Sequence, residues 1–142
     1  MFGPHLMVDA YDCSRAKLED LGLVASILDE FPTAIDMTKI MPPYVFRYSG
    51  EVPEDWGVSG IVLIAESHIS IHTFPDKGFF SLDIFSCRPF DVDYATHYMV
   101  QEFEARKFDR QVVSRGREFP RSPGRATRIL AEERGRVSLP FS

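Results

Sequence analysis

Sixteen residues, 60–75, constrain this chain more than any others. Ile61, Val62, Leu63, Ile64, Ile69 and Ile71 are β-favouring, and Gly60 and Pro75 bracket the run. That composition predicts one long strand over 57–73, bulged or bent near Glu66. Its second half, however, is Glu66-Ser67-His68-Ile69-Ser70-Ile71-His72-Thr73. A buried polar group without a partner costs about 1–3 kcal/mol, so a strand that only packed would carry valine at such positions. Polar chemistry stands where packing alone would not place it.

The remainder of the chain supplies a frame for that strand. Residues 5–11 read as a first strand. Leu18, Leu21, Val24, Ile27 and Leu28 recur at helical spacing over 15–30, with Asp12 and Ser14 as N-caps and Pro32 as a limit. Residues 33–48 are mostly β-like, interrupted at Pro42-Pro43, and 49–55 form a loop by composition. Pro75-Asp76-Lys77-Gly78 is a turn, with Gly78 supplying positive φ. Residues 79–87 alternate and pair as a hairpin with the strand before them. A second helix is expected over 91–107 and a short last strand over 111–114. The order β-α-β-β-β-α-β gives an α+β fold: an antiparallel sheet with two helices on one face.

At 142 residues, 44% apolar, this is a single globular domain. No apolar run approaches the roughly 20 residues of a membrane span, and no basic stretch precedes an apolar one at the start, so a cytoplasmic location is expected. Cys13 and Cys87 are too few for a disulfide framework and read as free thiols. Residues 1–105 carry a net −11 and residues 106–142 a net +6. The basic segment reads as a solvated stretch against an acidic body. With only Phe108 and Phe119 among its arginines, it lacks the aromatic interleaving that nucleic-acid binding requires. His68 and His72 stand at i, i+4, a metal-binding spacing on a helix but not on a strand, and no metal is expected.

Glu66-Ser67-His68-Ile69-Ser70-Ile71-His72-Thr73-Phe74-Pro75, with Cys87 beyond it, closely resembles the self-cleavage site of prokaryotic S-adenosylmethionine decarboxylases. The resemblance covers roughly residues 2–120 and implies a two-layer sandwich. It implies cleavage between Glu66 and Ser67, giving a β chain of 1–66 and an α chain from 67, within one catalytic domain of 1–120. Residues 121–142 remain as an irregular basic tail, with a short helix expected over 126–133. It further implies a pyruvoyl cofactor made from Ser67, with neither PLP nor metal, which binds substrate as a Schiff base. His72 becomes the processing base, Ser59 helps hold the oxyester, and Cys87 is the proton donor of turnover. A thiol suits that last task, being protonated near neutrality yet acidic enough to give up its proton.

Substrate contacts are expected from Glu66, Asp76, Phe74, Phe46 and Tyr48, with Trp56 a further aromatic near the loop. Asp76 stands where relatives carry Glu, and Phe74 replaces a frequent Trp or Tyr. The implied activity supplies the aminopropyl donor of spermidine synthesis. Two alternatives remain: an arginine or ornithine decarboxylase of the same pyruvoyl type, and a paralogue that never cleaves. A homodimer of αβ units is implied, with Phe79, Phe80 and Phe85 as extra aromatic surface, and no putrescine activation is expected.

Overall fold

The computed structural model describes residues 3–116; the irregular basic tail expected over 121–142, with its short helix over 126–133, lies outside them. Alternation builds its first strand: in β1 (Gly3–Tyr11), Leu6, Val8 and Ala10 are buried, whereas His5, Met7 and Asp9 point the other way. Asp12 turns the chain at φ 54°, and Ser14 then caps a single helical turn, α1 (Arg15–Leu18). Asp20 accepts from the Leu23 N–H and opens α2 (Leu21–Ala34). The single helix expected over 15–30 is thus two pieces, each with its own cap. Pro32 does not stop α2; it sits in the last turn, where the helix is ending anyway.

The four strands that follow are consecutive neighbours: β2 (Tyr44–Tyr48), β3 (Gly57–Ile64), β4 (Ser67–Phe74) and β5 (Phe79–Ser86). Between β4 and β5, Gly78 at φ 61° closes a 3-10 turn over Pro75–Lys77, as its sequence implies. After α3 (Val92–Glu102), Glu104 reverses the chain at φ 53° and β6 (Lys107–Arg115) pairs with the whole of β1. This helix is shorter, and this strand longer, than the spacing suggests, because Phe103 is swallowed by the core and ends the helix there.

The result is one antiparallel sheet in the order β2-β3-β4-β5-β1-β6. Its helix-side face supplies Leu6, Val8, Val62, Ile69, Ile71, Phe80, Leu82 and Ile84, all fully buried or nearly so. Val24, Leu28 and Phe31 of α2, and Ala95 and Met99 of α3, complete that core. Each such aliphatic side chain contributes about 1.5–3 kcal/mol relative to exposure. The expected two-layer α+β class is what the chain adopts. Its other sheet face has no helix over it among the described residues, and Tyr44, Phe46, Tyr48, Ile61 and Leu63 stand exposed there.

One expectation fails where it matters most. Residues 57–73 are two antiparallel strands, not one bent strand: Ile64 pairs with Ser67, leaving Ala65-Glu66 as a two-residue hairpin turn. Neither turn residue has positive φ, so this is not the primed turn whose twist matches its strands. Bonds from outside brace it instead. The expectation of Phe80 as extra aromatic surface also fails: as the alternation of 79–87 implies, it lies with Leu82 and Ile84 in the core, against Phe103, and only Phe79 and Phe85 reach the open face.

Candidate active site

The singled-out residues separate into two groups. The first surrounds the Ala65-Glu66 turn. There the Ala65 N–H donates to the Thr38 carbonyl at 2.7 Å, and the Thr38 N–H donates to Glu66 Oε1 at 3.1 Å. The Glu66 side chain is only 9% exposed, and Arg88 Nη1 stands 3.9 Å from its Oε2. The Cys87 N–H donates to the Glu66 carbonyl oxygen at 2.8 Å. That carbonyl belongs to the Glu66–Ser67 peptide bond, so Cys87 at the end of β5 lies beside it. On the other side of β5, Gly3 lets β1 come close to the same end: a Cβ there would stand 1.7 Å from the Ser86 carbonyl oxygen and 2.7 Å from the Cys87 Cα.

Ser67 itself is half-buried and pairs across β5 with Ser86. The next residue, His68, faces the open side with Leu63 and Phe85, its ring edge-on to Phe85 at 5.8 Å. Burial, reinforced by repulsion from His5, lowers the His68 pKa and favours the neutral imidazole. His5 is bonded to Asp83 at 2.9 Å. Arg115 lies over Phe85, 4.0 Å from its ring centre, and closes this cluster.

The second group lies toward the far end of β4. His72 and Ser59 are register partners, and the Ser59 hydroxyl meets His72 Nδ1 at 2.9 Å. They line a cavity of about 730 Å³ with Phe46, Tyr48, Phe74 and Asp55. Lys77 pairs with Asp55 at 2.5 Å along this wall. Three of the expected substrate contacts, Phe46, Tyr48 and Phe74, therefore converge with Ser59 and His72 in one apolar-walled space. Asp76 does not join them; its carboxylate is held by Arg15 at 2.8 Å, outside the cavity lining. Trp56 stacks under Arg47 instead.

His72 and Ser67 do not meet within the chain. They stand five positions apart along β4, roughly 16 Å, and odd and even positions of the strand face opposite ways. The sequence reading also missed Thr38 and Arg88, which hold Glu66. Neither lies near the motif in sequence, and only the β3–β4 turn brings them to it. Cys13, the other thiol, is half-buried; burial first, and then Asp12, push its pKa up to about 11, which suits packing rather than reaction.

Fold and geometry define a two-layer α+β domain with a braced polar turn at one end and an aromatic cavity at the other. Residues 4–116 match the family model described as S-adenosylmethionine decarboxylase. A protein of Pyrococcus furiosus named S-adenosylmethionine decarboxylase proenzyme is 32% identical over 133 residues, 93% of this chain and 91% of its own length. A protein of the same name from Aquifex aeolicus is 30% identical over 80% of this chain and 81% of its own length. The crystal structure of the adenosylmethionine decarboxylase from that organism superposes with a TM-score of 0.67 at 28% identity, over 85% of this chain and 96% of its own. The chain belongs to the S-adenosylmethionine decarboxylase family.

Proposed function

We propose that this chain is a proenzyme that cuts itself between Glu66 and Ser67 and then decarboxylates S-adenosylmethionine to the aminopropyl donor of spermidine synthesis. The observation that carries the reading is the Cys87 N–H on the Glu66 carbonyl at 2.8 Å. A backbone donor so placed stabilises negative charge on that oxygen when the carbonyl carbon is attacked. It also sets the proposed proton donor of turnover next to the bond that must break.

The cleavage chemistry balances with the residues present and one water. The Ser67 hydroxyl oxygen bonds to the Glu66 carbonyl carbon, the C–N bond breaks, and the hydroxyl proton ends on the freed amine. Loss of the Ser67 α-proton then expels the Glu66 carboxylate and leaves dehydroalanine. Water displaces ammonia from its imine tautomer, giving a pyruvoyl group on the new chain terminus. The site fits that group, since the serine follows a carbonyl already held by a donor. The pyruvoyl carbonyl supplies an electron sink for the substrate's amine-bearing carbon. Cys87 returns a proton to that carbon after CO₂ has left.

Assembly follows from the separation of the two groups. His72 and Ser59 cannot serve Ser67 of their own chain without a large movement, so we assign them to the turn of a second protomer in a homodimer of αβ units. The exposed Tyr44, Phe46, Tyr48, Ile61 and Leu63 on the helix-free face give that contact its apolar area. Phe46, Tyr48 and Phe74 would pack the adenosyl group, with cation–π attraction to the sulfonium worth roughly 0.5–2 kcal/mol. The relatives' names favour this substrate over arginine or ornithine. Among the described residues no helix is long and apolar enough to cross a membrane.

The test supplies the purified protein separately with carboxyl-labelled S-adenosylmethionine, arginine and ornithine and traps the CO₂. Release from the first alone is expected. Release from an amino acid but not from S-adenosylmethionine overturns the substrate assignment.

A further inference from the structure

The Glu66 side chain has partners of its own at both oxygens, and the self-cleavage scheme above makes no use of them. We propose that Arg88 is a positioning residue for self-cleavage, acting through the Glu66 carboxylate. The proposal rests on the self-cleavage reading and adds a component to it.

Arg88 is itself fixed from three directions. Its Nη2 donates to the Asp36 carbonyl at 2.7 Å, its backbone N–H donates to the Ser86 hydroxyl at 2.9 Å, and its Nη1 faces Glu66 Oε2 at 3.9 Å. Asp36 can present that carbonyl because it takes the left-handed conformation, φ 59°, just after α2. Ser86 is in turn fully buried and bonded to Met37 Sδ at 3.6 Å. A carboxylate as buried as that of Glu66 needs partners for both oxygens. The Thr38 N–H satisfies one, and Arg88 is the cation beside the other.

Two consecutive residues thus grip one residue at both ends: Cys87 by its carbonyl, Arg88 by its side chain. Rotation about the Glu66 Cα–C bond, which sets the face the carbonyl offers to the Ser67 hydroxyl, is restricted from both sides. Attack geometry is worth much of such a barrier, and a misplacement of about 1 Å can cost about a hundredfold in rate. The Arg88 side chain is 53% exposed and borders a cavity of about 310 Å³, so its replacement disturbs no core packing.

The test follows the first-order cleavage of freshly synthesised full-length chain by intact mass. Arg88→Met should slow the rate about tenfold or more, and Arg88→Lys should stay within about threefold of the parent. In a Glu66→Gln background, where the charge is gone, Arg88→Met should change the rate by less than about twofold. Parental cleavage in Arg88→Met overturns the proposal and leaves the self-cleavage reading standing. So does an Arg88→Met loss of equal size in both backgrounds, which would mark generic packing. A parent chain that never cleaves overturns self-cleavage itself, and Arg88's role with it.

Discussion

The two ends of β4 differ in how they hold their polar groups. At the Ser67 end, backbone groups dominate: the Cys87, Thr38 and Ala65 N–H donors and the Thr38 carbonyl set the turn. At the His72 end, side chains dominate, in a hydroxyl–imidazole pair within an aromatic cavity. Backbone donors cannot be displaced by a change of rotamer, which suits a bond whose carbonyl must be polarised in a fixed direction. A side-chain pair on an exposed strand face can move a proton and then reorient. Under the proposed self-cleavage, the turn end would be the one acted upon and the cavity end the one that acts.

The sharpest break in that comparison is Ser67→Ala. The parent should resolve into fragments 1–66 and 67–142 on a denaturing gel, the second with a blocked N-terminus. The variant should remain one chain without decarboxylase activity, because no hydroxyl is left to attack. Next in size is Cys87→Ala, which keeps the backbone N–H on Glu66 and removes only the thiol. It should still cleave, yet lose about 10²–10⁴-fold in CO₂ release, the range of a missing general acid. Equal activity removes Cys87 from turnover.

The separation of the two ends is probed by mixing chains. His72→Ala alone should stall at the ester, which hydroxylamine then cuts. Unfolded together and refolded with Ser67→Ala, the His72→Ala chain should mature, since the mixed dimer holds one complete set. Failure to mature in the mixture, alongside normal dimer formation, would place His72 and Ser67 in one chain. The smallest effect concerns pH. Because the folded His68 pKa is lowered by burial and by His5, the unfolded chain takes up that proton first as pH falls. Its contribution to stability is present above the unfolded value of about 6.5 and fades below it. The fall in Tm between pH 7.5 and 5.5 should be shallower in His68→Gln.

Much of this was legible in the sequence, for identifiable reasons. The alternation of 79–87 separated the buried Phe80, Leu82 and Ile84 from the open face, and the cap at Ser14 and the turn at Gly78 are local chemistry. The β3–β4 turn was not legible, because Ala65-Glu66 contains neither glycine nor asparagine and its stability comes from Thr38 and Cys87, distant in sequence. For the same reason the motif indicated which bond would break but not what grips it. Asp76 was assigned to the substrate from its place in the motif, whereas its orientation is set by Arg15, a contact that depends on α1 meeting the Pro75–Lys77 turn.

The strand order carries a consequence for a chain cut at Glu66–Ser67. The first fragment owns β1, β2 and β3 and the second owns β4, β5 and β6, but in the sheet β1 is inserted between β5 and β6. The fragments are interleaved rather than side by side, so neither can leave without unzipping three ladders, β3–β4, β5–β1 and β1–β6. A matured molecule would hold together indefinitely while folded, yet once denatured its recovery would be second order in fragment concentration. Maturation would therefore act as a ratchet: one folded chain would become, after the cut, an object that dilution makes hard to reassemble.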